Sequence, residues 1–143
     1  MTDAAAVRDA LGLAPHPEGG WFRRTWEHPE MGDAGRRLGS SILFLVEGGG
    51  STRWHRVDAA EVWVHCDGDP LVLEVVGDEG PVALTLGGAD SPDGPQTVVP
   101  PGAWQRARST GAWSLVVCVV VPEFSDDGFE LAPDGWEPGP GDG

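Results

Sequence analysis

Residues 50–68 read GSTRWHRVDAAEVWVHCDG and set an Arg, two His and several carboxylates between glycines. In an extended strand alternate side chains share a face. Arg53, His55 and Val57 therefore fall on one side, with Trp54 and Arg56 on the other. After a turn through Asp58-Ala59-Ala60, the residues Glu61, Trp63 and His65 alternate together. If His55 and Glu61 face the interior, so do Arg53, Trp63 and His65.

On either side of this stretch, turn residues recur every eight to fourteen positions: Asp67 to Pro70, Gly77 to Gly80, Gly87 to Gly94, Pro100 to Gly102 and Ser109 to Gly111. Between them lie short apolar runs, LVLEVV (71–76), VALTL (82–86), QTVV (96–99) and WSLVVCVVV (113–121), with SILFLVE (41–47) upstream. Short strands at such spacing predict an all-β protein, here an antiparallel barrel with a pocket at its mouth. Asp3 to Leu13 reads as one short N-terminal helix, capped by Asp3 and ended near Gly12. PHPEGGW (15–21) cannot be helical, and Gly19-Gly20 predicts a sharp bend. A single domain over residues 1–136 is expected. The run from Glu123 holds seven acidic residues and no basic one, and its Pro- and Gly-rich end, 137–143, reads as a disordered acidic tail.

Composition removes several function classes. A formal charge of −14 argues against nucleic-acid and anionic-membrane partners. No run of about 20 apolar residues is present to span a bilayer, and no basic region with an apolar run opens the chain, so a soluble cytoplasmic protein is expected. All nine basic residues are Arg, and Tyr is absent. The chain therefore offers neither a Schiff-base amine nor a phenolic acid. Cys66 and Cys118 read as reduced thiols, and without a CxxC pair a structural zinc site has no support.

Two stretches resemble the paired motifs of the cupin superfamily. The first matches Gly50, His55, Glu61 and Gly68, with Val57 where a second His is usual. The second matches Gly94, Pro100, Gly102, Gln105 and Ser109, with Gln105 in place of a His. PHPEGGWFRRT, WHRVDAAEVW, GDPLVL, PQTVVPPGAWQ and FELA further resemble the cupin subfamily called domain of unknown function 985 (cupin 5), from Leu13 to about Ala132. The resemblance implies a jelly-roll-like double-stranded β-helix barrel, commonly dimeric, with no assigned reaction.

The resemblance also implies a metal cage of two His, a Glu and a third His. This chain keeps His55 and Glu61 but has Val57 and Gln105 at the other positions. Neutral Gln is a poor ligand. His65 lies about 13 Å beyond Glu61 along an extended strand. A site without metal or other cofactor is the expectation.

What remains is a candidate acid–base pair. His55 is the expected general base, with Glu61 orienting it or acting as the acid. Arg53 would bind an anionic group, Trp63 would form an aromatic wall, and His65, Gln105 and Ser109 would add polar contacts. His16 and Glu18, in the Pro/Gly-framed loop, are candidates to close over the pocket. The expected activity is a metal-independent epimerase, isomerase or lyase on a small anionic metabolite. A pocket that binds without turnover, and a weak metal-dependent enzyme, remain the alternatives.

Overall fold

The computed structural model of the chain describes residues 2–139. One helix, α1 (Ala4–Leu11), precedes eleven strands. Ala6 N–H donates to the Asp3 carboxylate at 2.8 Å, which caps the first turn. Gly12 takes a left-handed conformation and caps the helix after Leu11, two residues short of Leu13. Val7 and Leu11 pack on Leu45, Trp113 and Leu115, so the helix covers one end of a sheet.

The strands are β1 (Ala14–Pro15), β2 (Trp21–Glu27), β3 (Ser40–Glu47), β4 (His55–Val57), β5 (Ala60–Gly68), β6 (Leu71–Gly77), β7 (Gly80–Leu86), β8 (Gln96–Val99), β9 (Trp104–Ser109), β10 (Trp113–Val121) and β11 (Phe129–Leu131). They form two antiparallel sheets. One runs β1-β2-β3-β10-β5-β8, the other β11-β4-β9-β6-β7. The apolar runs 71–76, 82–86, 96–99 and 113–121 all lie in strands. β10 is the hub of the larger sheet, pairing with β3 on one side and β5 on the other.

The all-β jelly-roll class holds, with one correction. The sheets lie face to face as a sandwich and are not hydrogen-bonded into a closed barrel. The turn between the edge strands β7 and β8 closes on itself, Gly87 N–H donating to Gly94 O at 3.0 Å, and the two strands go to different sheets. Between the sheets sits a core that includes Phe44, Val46, Trp63, Leu71, Leu73, Leu86, Val99 and Val116. It fills one end of the sandwich and leaves the other hollow.

The outer face of the smaller sheet is sealed by the chain's end. Arg56 stacks on Trp104, Arg106 on Trp54, and Trp136 on Trp104. Glu137 accepts from Trp54 Nε1 at 3.0 Å and from Arg106 at 3.1 Å. The expected tail at 137–143 thus starts with an anchored residue, and its last four positions, 140–143, lie outside the described residues. Among the described residues no helix is long and apolar enough to cross a membrane.

Candidate active site

The hollow end of the sandwich is a cavity of about 170 Å³. Its walls come from four places. β4 contributes His55 and Val57, β5 contributes Glu61, β10 contributes Cys118 and Val120, and β2 with β3 contributes Phe22, Arg24, Ser40 and Ile42. Two loops complete it, one carrying His16 and Glu18, the other Phe124 and Asp126, followed by Phe129 at the start of β11.

Glycine makes both loops possible. Gly20 sits at φ +80°, and a Cβ there would meet Leu45 O at 2.8 Å and the Phe44 ring at 2.9 Å. This close approach lays the 16–20 turn on β3 and brings His16 and Glu18 over the cavity. Gly128 permits the second loop, since a Cβ would lie 2.2 Å from the Asp58 carboxylate. Asp58 N–H donates to Gly128 O at 3.0 Å, and β11 then pairs with β4.

His55 is fully buried between two carboxylates. Its Nδ1 donates to Arg53 O at 2.8 Å, and Glu18 Oε2 lies 2.8 Å from the same nitrogen. The imidazole N–H is aligned with the Arg53 carbonyl, so Glu18 Oε2 has a close charged contact with it but no well-aligned donor. With Nδ1 engaged by the protein, Nε2 is the ring nitrogen left for a molecule in the cavity. Burial alone would lower the His55 pKa. The Glu18 carboxylate, through its charge and its close contact with Nδ1, then the Arg53 carbonyl and the Glu61 charge, together outweigh it and raise the imidazole to about 9.

Glu61 lies against the same space. Gln105, opposite His55 in the β4–β9 register, donates its amide N–H to Glu61 Oε1 at 2.8 Å. Trp63 Nε1 donates to Gln105 Oε1 at 3.0 Å, which fixes the orientation of the amide. Burial pushes Glu61 up to about 7, aided by Glu18 and opposed by the His55 charge and hydrogen bonds from Gln105 and Cys118. The Cys118 thiol, buried and facing the Glu61 and Glu18 charges, is held well above its usual pKa, so it is a donor and not a thiolate.

His16 accepts from the Glu18 backbone N–H at 3.2 Å through Nδ1, and its ring meets the edges of Phe22, Phe44, Phe124 and Phe129. Burial lowers its pKa, against the Glu18 charge, so it stays neutral near pH 7.

Of the residues expected at the site, His55, Glu61, His16 and Glu18 meet in the cavity, and Gln105 stands behind Glu61. Arg53 does not join them. β4 begins only at His55, so strand alternation does not reach Arg53. Its guanidinium bonds Ala132 O and pairs with Asp134 at 3.1 Å. Trp63 has the inward phase but lies in the core, where it braces Gln105 and forms no cavity wall. His65 is far along β5, with Nε2 on Asp69 O at 3.0 Å, past which the register with β10 shifts. Ser109 is at the far end of β9, opposite Leu71, and bonds Ser114 at 2.8 Å.

Arg24, Cys118, Phe124, Asp126 and Phe129 also line the cavity, and the sequence pattern does not single them out for it. A polar or thiol residue in the inward phase of an apolar strand could have revealed Cys118. Arg24 precedes the β2–β3 irregularity, and the other three lie at or beyond a loop with no periodicity.

The metal positions implied by the motif fall on His55, Val57, Glu61 and Gln105. Val57 has no donor atom, and both ends of the Gln105 amide are committed to Trp63 and Glu61. Among the described residues no three His, Cys, Asp or Glu side chains are grouped so as to hold a metal ion. These residues do not fit a resident transition metal.

Two facing antiparallel sheets with a hollow end, His55 and Glu61 at motif spacing, and a second motif ending on Gln105 define a cupin-type jelly roll. Residues 5–132 match the Cupin superfamily (DUF985), and the chain belongs to that family. It is similar to a protein from Shewanella oneidensis known by X-ray crystallography, with 33% identity over 92% of this chain and 85% of that one, at a TM-score of 0.86. A hypothetical protein from Leishmania major is similar at 27% identity, over 90% and 86% of the two chains, with a TM-score of 0.82. Oxalate decarboxylase from Bacillus subtilis shares the fold alone, at 14% identity over 82% of this chain and 29% of the enzyme, with a TM-score of 0.62. No curated protein matches the chain.

Proposed function

We propose that the chain is a metal-independent acid–base enzyme of the isomerase, epimerase or lyase type, moving a proton next to a carbonyl in a small metabolite. The observation that carries this reading is the placing of Glu61 and His55 on the walls of one cavity, both buried, with Glu18 2.8 Å from the imidazole. Burial pushes the carboxylate up, and the neighbouring carboxylates push the imidazole up. Groups tuned in this way divide the work of acid and base. The roles are the reverse of those expected from residue type. His55 is protonated near neutrality and serves as acid, while Glu61, with a pKa near 7, is the base.

In the proposed step Glu61 takes the proton from the carbon beside the carbonyl. His55 donates from Nε2 to the carbonyl oxygen as negative charge develops there, giving an enol. With a hydroxyl on the adjacent carbon the enol is an enediol. Glu61 returning its proton to the former carbonyl carbon, while the other hydroxyl gives its proton to the imidazole, completes an isomerisation without any further reagent. Reprotonation of the first carbon on its opposite face would give the epimer.

Arg53 no longer supports an anionic substrate. The guanidinium at the cavity, Arg24, is already bonded to Glu27 at 2.9 Å and to Phe124 O at 3.0 Å. With Glu18, Glu61 and Asp126 also present, a compact neutral molecule with an apolar body fits the charges better. The aromatic wall of Phe22, Phe124 and Phe129 also suits a second reading, a pocket that binds such a molecule without turning it over.

The test is solvent exchange. Small ketones and aldehydes incubated with the protein in D2O should lose the proton beside the carbonyl, read by proton NMR. Glu61→Gln should slow exchange by about 10²-fold or more. Exchange at the wild-type rate in that variant would defeat the assignment, and intact ligand with no exchange would favour binding alone.

A homodimer is also proposed. Leu43, Val62, Val64, Val117 and Val119 lie half-buried on the outer face of the larger sheet, beside Val98, which is 53% exposed. Light scattering at micromolar concentration should give twice the chain mass.

A further inference from the structure

Glu18 is a buried carboxylate with no well-aligned hydrogen-bond donor among the described residues. It is 7% exposed and lines the cavity. Its Oε2 is sealed from solvent and meets His55 Nδ1 at 2.8 Å only off the N–H line, because that N–H is directed to Arg53 O. Its Oε1 lies 3.4 Å from His16 Nδ1, but that nitrogen already accepts the Glu18 backbone N–H and so carries no proton to give. A buried carboxylate ordinarily accepts two or three donors, and an unmet one calls for an explanation. The ion pair with His55 balances the charge of Glu18 but leaves its accepting capacity open.

We propose that Glu18 accepts a hydrogen bond from a hydroxyl of the ligand, and that the substrate class is a small hydroxy-carbonyl compound with an apolar remainder. This rests on the acid–base reading for the carbonyl, while the hydroxyl follows from Glu18 alone. The carbonyl oxygen meets His55 Nε2, the adjacent C–H meets Glu61, and a hydroxyl within a carbon or two reaches Glu18 on the other side of the imidazolium. The neutral donor suits a cavity in which the charges of Glu18 and His55 already cancel. His16, neutral and framed by Phe22, Phe44, Phe124 and Phe129, together with Val57 and Ile42, takes the hydrocarbon part.

The test uses 1-hydroxy-2-butanone and its deoxy counterpart 2-butanone on the wild-type protein. Binding is followed by chemical-shift titration and turnover separately by deuterium incorporation. The hydroxy ketone should bind about tenfold or more tightly than 2-butanone, the discrimination expected when a buried charged acceptor is left unmet. Glu18→Gln should shrink that ratio to within about threefold. Equal binding of the two ketones, or no binding of either, overturns the proposal. Preferential binding of the hydroxy ketone with no deuterium uptake would uphold the ligand class while removing the catalytic reading. Deuterium uptake from both ketones with equal affinities would do the reverse.

Discussion

Trp63→Phe should reach the active carboxylate without touching it. Trp63 is 1% exposed and uses its indole N–H to hold Gln105 Oε1 at 3.0 Å, while the other end of that amide donates to Glu61 at 2.8 Å. Phenylalanine keeps the aromatic contact with Phe44 but removes the donor and some volume. Loss of the buried hydrogen bond and the void left behind should cost roughly 2–4 kcal/mol of stability. The more specific effect is on Glu61. Without the indole, Gln105 can rotate by half a turn and present its carbonyl oxygen, which favours protonated Glu61. A hydrogen bond to a charged group is worth about 1.5–3 kcal/mol, and one pKa unit is about 1.4 kcal/mol, so Glu61 should rise by roughly one to two units. Carbon NMR of glutamate-labelled protein reads that pKa, and urea denaturation reads the stability. A variant that loses stability while Glu61 titrates as in the wild type would show that Gln105 is held by packing alone, refuting the relay.

Three further outcomes follow from the same geometry. His55 is raised from 6.5 to about 9 and Glu61 from 4.5 to about 7, so the folded state holds each proton more tightly than the unfolded chain. Stability from these groups is full below the unfolded values and lost as pH rises, for Glu61 between about 4.5 and 7 and for His55 between about 6.5 and 9. The loss is on the order of 3 kcal/mol per group. In urea titrations across that range Glu61→Gln should flatten the lower window, and a wild-type stability that climbs there relative to the variant would reverse the sign. Glu18→Gln should lower the His55 pKa by at least about one unit, seen in imidazole NMR, because the Glu18 charge does most to raise it; an unmoved value would discard the ion pair. Val57→His combined with Gln105→His should create a cation site, with about tenfold or greater gain in zinc or nickel affinity by calorimetry. No gain would show that more than two missing donors separates this cavity from a metal cage.

How far the sequence could be read depended on regular backbone. The inward face of His55 and Glu61 is legible because β4 and β5 keep strict alternation through them, and both line the cavity. Gln105 followed because β9 pairs it across from His55. Arg53 failed for the complementary reason, since it precedes the strand and turns toward Ala132 and Asp134. Trp63, His65 and Ser109 show another limit. Phase tells which face a side chain takes, but not how far along a nine- or six-residue strand the hollow ends. Phe124, Asp126 and Phe129 reach the cavity from a segment with no period to read. The upward shift of the His55 pKa is the least legible feature. It depends on Glu18, which arrives from a loop 37 positions away, as the numbering of His55 and Glu18 gives.

The most direct measurement is an NMR pH titration that resolves the His55 imidazole and the Glu61 carboxyl in the same sample of wild-type protein. The account predicts that His55 stays protonated through neutrality, titrating near 9, while Glu61 titrates near 7. A His55 pKa at or below 6.5 together with a Glu61 pKa near 4.5 would contradict it, leaving a neutral imidazole beside an ordinary carboxylate and no acid–base division between them.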